Sequence, residues 1–273
     1  MFTKLLKREW KASFRLLSIM SLAALGVGIL EAAILRMLLT SGEMAFMSRA
    51  SGTLVSLLLF LTLAIAAYVI GVQIFLIVRF YKNKFSNEGY LTFTLPVSCE
   101  QIFLSSMVNM AIWTVISGAV TALCVVIIIA GGTAGTVDGG ILKYLWEDIV
   151  YVFEFNADLV GGAYWPLLII NAISSLFSGP VLVMTAFTLG SVVAKKRKVL
   201  VSLCMIYLIS MAASVVSAVF VNMADAAMLG ASGDVQTLME QISYYIEVFL
   251  QIAMSIGGYI LSVWLMKNKL NLT

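Results

Sequence analysis

The residue types that carry most enzyme chemistry are scarce in this sequence. It contains no histidine, which excludes histidine-assisted hydrolysis, histidine-ligated metal sites and histidine proton relays. The cysteines Cys99, Cys124 and Cys204 lack metal-ligand spacing, and we expect them to be free, inert thiols. No glycine-rich loop leads into Gly-Lys-Ser/Thr, so the chain has no P-loop for ATP hydrolysis. We therefore expect no catalytic, metal-binding or cofactor-binding residue.

Ionisable side chains inside apolar segments are costly in lipid and are often functional. Glu31 and Arg36 are the two clear cases, in the first long apolar segment. Their five-residue spacing places them about 140° apart on a helix, so a direct ion pair is not expected. Arg36 can extend to the membrane surface, which leaves Glu31 as the candidate for an intramembrane function. The uncharged Gln73, Asn109 and Asn171 are expected to form hydrogen bonds between helices.

These residues lie in a chain whose composition predicts an all-α membrane protein. Hydrophobic residues make up 62% and charged residues 11% of the sequence, against about 45–50% and 25% in soluble domains. The apolar runs approach the ~20 residues that cross a bilayer as a helix. Met1–Leu17 has no cleavage-site pattern, so no removable signal peptide is expected. The six predicted spans are Leu16–Leu38, Thr53–Arg79, Ile102–Ala130, Tyr164–Val193, Val199–Val221 and Tyr245–Met266.

The distribution of charge predicts the orientation. With six spans, 14 of the 17 basic residues fall in the termini and the two connections on the same side. Since basic residues accumulate on the cytoplasmic side, we expect both termini to be cytoplasmic. Most acidic residues fall on the other side, so the net charge of +3 reflects topology and does not indicate nucleic-acid binding.

Two further helices are predicted outside the spans. Apolar residues at helical spacing alternate with lysine and arginine over Met1–Leu17, which predicts an amphipathic helix in the inner membrane interface before the single six-helix domain of residues 16–273. The alternative is a first span that starts early with basic flanks. On the outer side, residues 141–158 are predicted to form an amphipathic helix, and Val235–Tyr245 has room for a partial one.

The cytoplasmic connection between the second and third spans is unusually hydrophobic for a loop. Its large apolar side chains suggest a short helix that docks in a groove on a soluble partner; the alternative is a segment that rests on lipid headgroups. These side chains are Phe80, Tyr81, Phe85, Tyr90, Leu91, Phe93 and Leu95.

The same connection resembles one in the permease subunits of ABC-2-type ABC transporters. The likeness lies in Asn87-Glu-Gly-Tyr-Leu-Thr-Phe-Thr-Leu-Pro-Val-Ser98, followed by Gln101-Ile102. The basic N-terminal segment, the six spans and the short C-terminus ending in Lys267–Leu272 are also similar. Two features depart from the family pattern: Ser105-Ser106 stands where a lysine is expected, and the outer segment Gly131–Gly162 is longer.

The resemblance implies a non-enzymatic permease in a bacterial cell membrane. Two permease subunits would pair as a homodimer or heterodimer, and each would receive a cytoplasmic ATPase that carries ATP and Mg²⁺. The coupling helix would lie within Phe80–Pro96, with contacts from Phe80, Tyr81, Phe85, Glu88, Gly89, Tyr90, Leu95 and Pro96. The apolar spans would suit export of a hydrophobic or amphipathic peptide or drug. The alternatives are a membrane scaffold or sensor subunit that moves no substrate and, less in keeping with the missing residue types, an intramembrane enzyme.

Overall fold

The computed structural model describes residues 2–40, 49–85, 97–133, 141–160, 164–194, 198–228 and 233–268. Within these ranges the regular structure is α-helical throughout. The helices are α1 (Phe2–Thr40), α2 (Arg49–Phe85), α3 (Cys99–Thr133), α4 (Ile141–Val160), α5 (Tyr164–Val193), α6 (Lys198–Met228) and α7 (Gly233–Asn268).

Six of these helices are long and apolar enough to cross a membrane, and each overlaps one of the six predicted spans. Their candidate spanning regions are Phe2–Thr40, Gly52–Phe85, Cys99–Thr133, Tyr164–Val193, Val199–Val219 and Tyr244–Asn268. The second helix continues six residues past Arg79 to Phe85. At 1.5 Å per residue α2 is about 55 Å long, which exceeds a hydrocarbon core of about 30 Å.

The structure does not support a separate interfacial helix over Met1–Leu17, because α1 runs without interruption from Phe2 to Thr40. No glycine or proline precedes Gly26, so nothing breaks the helix near Leu17. One buried stripe with helical spacing also runs along its length, which is what a single helix packed along one face requires. The stripe consists of Leu5, Glu9, Ser13, Leu17, Ser21, Ala24, Gly28, Glu31 and Ala32.

The helix predicted over residues 141–158 is present as α4, and its side chains are mostly exposed. An exposed ion pair between Lys143 and Glu147, with 3.8 Å between Nζ and Oε1, lies one turn apart on its surface. The partial helix predicted over Val235–Tyr245 is part of α7, which begins at Gly233 and continues into the sixth span.

The chain divides into two compact units, and the first comprises Met1–Leu6, Ile77–Ala111 and Glu154–Thr273. Within it α5 packs against α6 and α7. Thr185 Oγ1 donates to the Gly258 carbonyl at 3.1 Å, and Ser262 Oγ donates to Thr185 Oγ1 at 2.9 Å. An added Cβ at Gly258 would lie 2.8 Å from Val181. Close backbone approach at a small residue, with hydroxyl bonds across it, is a typical way for membrane helices to associate.

The second unit comprises Lys7–Leu76 and Ile112–Phe153, and hydroxyl and amide bonds link its helices as well. The Ser21 and Tyr68 hydroxyls are 2.9 Å apart and join α1 to α2. Gln73 Nε2 donates to Thr114 Oγ1 at 3.3 Å and joins α2 to α3. This second bond confirms the interhelical role that the sequence predicts for Gln73.

Candidate functional site

A cluster of aromatic rings surrounds the C-terminal end of α2, where the hydrophobic connection begins. We refer to it as the aromatic cluster; it lies within the first unit, and its members are Phe80, Tyr81, Phe85, Phe103, Phe187 and Tyr259. Four helices, α2, α3, α5 and α7, contribute to it, so the end of α2 contacts each of the other three directly or through one intervening ring.

The aromatic cluster branches at two adjacent residues of α2. Phe80 and Tyr81 are about 100° apart on α2 and therefore face different neighbours. The Phe80 ring meets Phe103 of α3 edge-on, with centroids 6.5 Å apart, and Tyr81 lies 5.6 Å from Phe187 of α5. Phe103 then meets the ring of Tyr259 on α7 at 5.5 Å. These separations lie in the 4.5–7 Å range of favourable ring pairs.

The predicted coupling residues divide into two groups. Phe80 and Phe85 are buried, with 3% and 6% of their surface exposed, and Tyr81 is half-buried. Side chains buried within the chain cannot also face a partner, so Phe80 and Phe85 do not offer a docking surface. Glu88, Gly89, Tyr90, Leu95 and Pro96 lie outside the described residues, and their part in coupling stays a prediction.

Lys84 is a buried residue that the sequence interpretation missed. Only 1% of its surface is exposed, although its position among the basic residues of a predicted cytoplasmic connection favours an exposed side chain. The sequence did contain an indication that Lys84 is buried. It continues the four-residue spacing of Val72, Leu76 and Phe80, all of which are buried. Residues four apart share a helix face, so the buried face of α2 extends to the start of the connection.

A polar contact at the same end of the first unit joins α3 to α7. Lys267 Nζ donates to Glu100 Oε1 at 2.6 Å, and both side chains are about half-exposed. An ion pair this exposed contributes little stability, because water and salt screen it. The contact shows that the end of α7 lies beside the start of α3.

The second unit holds Glu31, the predicted intramembrane candidate. Its side chain is buried, with 6% exposed, and Oε1 accepts a hydrogen bond from Thr62 Oγ1 of α2 at 2.6 Å. The other carboxyl oxygen, Oε2, is buried and has no hydrogen-bond partner among the described residues. Arg36, five residues further along α1, is exposed.

Replacing Thr62 with valine should destabilise the chain by about 0.5–1.5 kcal/mol, as is usual for a hydrogen bond between membrane helices, because Thr62 is exposed and its hydroxyl also lies 2.9 Å from the Leu58 carbonyl of its own helix. Valine matches threonine in shape but cannot donate to Glu31 Oε1. The measurement is reversible SDS denaturation in mixed micelles, with Thr62→Ser as the control that keeps the hydroxyl. Equal stability of the valine and serine variants would contradict a structural role for this bond.

Comparisons with protein-family models, curated proteins and solved structures found no match for this chain. Its own residues and their geometry therefore carry the functional argument. Among the described residues, no group of three or more acidic or cysteine side chains is placed to hold a metal ion. The features that remain are the aromatic cluster, the Glu31 carboxyl and the spaces between helices of the first unit.

Proposed function

We propose that this chain is the permease subunit of an ATP-binding cassette transporter, driven by a separate cytoplasmic ATPase. Both termini and the connection of residues 86–96 lie on the cytoplasmic side, and the basic start of α1 lies against anionic lipid headgroups. Two permease subunits form the transmembrane part. The transported substrate is hydrophobic or amphipathic and leaves the cell.

The aromatic cluster is the observation that carries this proposal. The hydrophobic connection begins at Phe85, and the rings beside that residue reach three further helices of the first unit. Interlocked rings in a dense interior transmit displacement, because packed side chains deform little. A partner that moves the connection would therefore move α3, α5 and α7 with it. The sequence has no nucleotide-binding loop but has a hydrophobic connection that is joined to the helices in this way. These two features favour a chain that is driven by a separate ATPase.

The proposal is tested by co-purifying the chain with the ATPases encoded beside it and measuring ATP hydrolysis in proteoliposomes. We expect the wild-type chain to bind an ATPase and to stimulate hydrolysis. Tyr90→Asp, which puts a charge on the proposed docking segment, should abolish both effects, because burying an unpaired charge in an apolar interface is unfavourable. Phe85→Asp is unsuitable as a test, since Phe85 is buried within the chain.

The matched control is Tyr144→Asp on the exposed surface of α4, where the tyrosine is 55% exposed. This variant should bind and stimulate the ATPase as the wild-type chain does. Failure of every neighbouring ATPase to bind, or unchanged binding in Tyr90→Asp, would refute the coupling function. An ATPase that binds and responds to added ligands, while no candidate substrate crosses the vesicle membrane, would favour a scaffold or sensor subunit.

A further inference from the structure

A cavity of about 480 Å³ lies within the first unit, between α3, α5 and α7. Its volume falls in the range of roughly 300–1,000 Å³ found for small-molecule sites. The lining is almost wholly apolar and contains no charged side chain. Leu104 and Met107 of α3, Phe177 and Val181 of α5, and Ile256 and Tyr259 of α7 form much of the wall.

Three lining residues carry a hydroxyl group: Ser174, Ser255 and Tyr259. Ser255 donates to the Gln251 carbonyl of its own helix at 2.8 Å, whereas Ser174 of α5 differs. Its side chain is buried, with 9% exposed, and its Oγ has no hydrogen-bond partner among the described residues. The neighbouring serines behave differently: Ser175 donates to the Ala172 carbonyl and Ser178 to the Ser175 carbonyl, both at 2.9 Å. The Oγ atom is closed off from the cavity in this rotamer, so the side chain must turn about χ1 to meet a ligand there. Since buried hydroxyls are nearly always paired, an unpaired one beside a cavity points to a partner that the hydroxyl reaches after this turn.

The cavity lies deep along the helices, and its rim reaches the lipid-facing surface. On α7 its lining runs from Ile252 to Tyr259, which is about 13–24 Å from the end of that helix at Asn268. Two of its lining residues on α5, Ile170 and Ile173, have side chains that are 45% and 54% exposed. A ligand can therefore enter sideways from the bilayer, and a charged group carried to this depth would be unfavourable.

We propose that this cavity binds an uncharged lipophilic molecule that has one hydrogen-bonding group, and that Ser174 is the residue that recognises this group. The apolar wall accepts an alkyl chain or ring, and the Ser174 hydroxyl bonds a hydroxyl or carbonyl oxygen of the ligand. Molecules with a permanent charge are excluded, because no lining side chain can pair with it. The inference does not depend on the proposed transport function, since binding is a property of this chain alone.

The test uses the full chain in nanodiscs with a diazirine-bearing long-chain alkanol as the probe. Photolabelling should map to cavity residues and should be competed by decanol more strongly than by decane, with decyltrimethylammonium the weakest competitor. Ser174→Ala should weaken competition by decanol by about three- to tenfold, as expected for one lost hydrogen bond. Competition by decane should stay unchanged, and Ser174→Thr, which keeps the hydroxyl, should restore the preference.

Ser175→Ala is the matched control, because Ser175 is the adjacent residue on α5 and its exposed hydroxyl is already bonded within the helix. Ser175→Ala should leave competition by decanol, decane and decyltrimethylammonium unchanged. Ser174→Phe, which places a ring in the cavity, should reduce labelling of the cavity residues. Equal competition by decanol and decane, an unaltered preference in Ser174→Ala, or labelling confined to residues outside the cavity would each overturn the proposal. Thermal unfolding of every variant separates loss of binding from loss of fold.

Discussion

Replacing Gly190 with alanine should destabilise the chain by about 3 kcal/mol, at the upper end of the cost of overpacking. Gly190 lies on α5 where that helix meets α6. An added Cβ would lie 2.7 Å from the Cα and 2.8 Å from the backbone nitrogen of Ser202. Ser202 is fully buried, and a backbone cannot rotate away as a long side chain can. The two helices must therefore separate, which loosens the packing between them.

The measurement is the unfolding free energy from reversible SDS denaturation, and the matched control is Gly257→Ala. Gly257 is also a helical glycine, but an added Cβ there meets no atom within 4 Å. Its replacement should leave stability unchanged or raise it by up to about 1 kcal/mol, since alanine favours helix more than glycine does. If both alanine variants had the same stability, the close approach of α5 to α6 at Gly190 would be refuted.

The positions of the spans could be predicted because length and hydropathy alone determine which segments can cross a bilayer. The segment Tyr164–Val193 was predicted with the bounds that α5 has in the structure. The start of the first span was harder to predict. Basic residues over Met1–Leu17 suggested an interfacial helix, yet charge does not break a helix, and without glycine or proline the helix continues. The spacing of apolar residues predicts which face of a helix is apolar. It does not predict whether two neighbouring helical segments form one continuous helix.

The contacts between helices could not be predicted in the same way. The sequence singled out Glu31 because a carboxyl in an apolar segment is rare, but it held no indication that Thr62 would be the partner. That pairing depends on the relative register of α1 and α2, which short sequence patterns do not determine. Ser174 was missed for a related reason. A serine in a membrane helix normally bonds to its own backbone, so its unpaired state emerges only from the packed structure.

The aromatic cluster could be predicted only in part. The hydrophobic residues near the end of α2 were conspicuous in the sequence and were interpreted as part of a partner-binding surface. The structure shows that Phe80 and Phe85 are instead buried against their own chain. A hydrophobic side chain in a polar-looking loop indicates that some surface covers it, but the sequence does not say whether that surface belongs to the same chain.

Replacing Phe103 with alanine should destabilise the chain by about 3 kcal/mol, near the low end of the range for removal of a buried phenylalanine. Phe103 has no exposed surface, and its ring contacts both Phe80 and Tyr259. In a membrane, lost packing rather than transfer from water provides most of this cost. The same SDS denaturation measures it. Phe249→Ala is the control, because Phe249 is 70% exposed and its removal should change stability by less than about 0.5 kcal/mol.

Phe103→Leu separates the structural role of this ring from its role in coupling. Leucine fills much of the space, so stability should fall by less than about 1.5 kcal/mol, but the ring contacts that join α2 to α7 are lost. If the aromatic cluster transmits movement from the connection to the spans, the leucine variant should still bind the ATPase and should lose most of its stimulation of ATP hydrolysis. Full stimulation in a stable Phe103→Leu chain would show that coupling follows another route. Loss of ATPase binding would instead place Phe103 in the support of the docking segment, because the ring itself is too deeply buried to touch a partner.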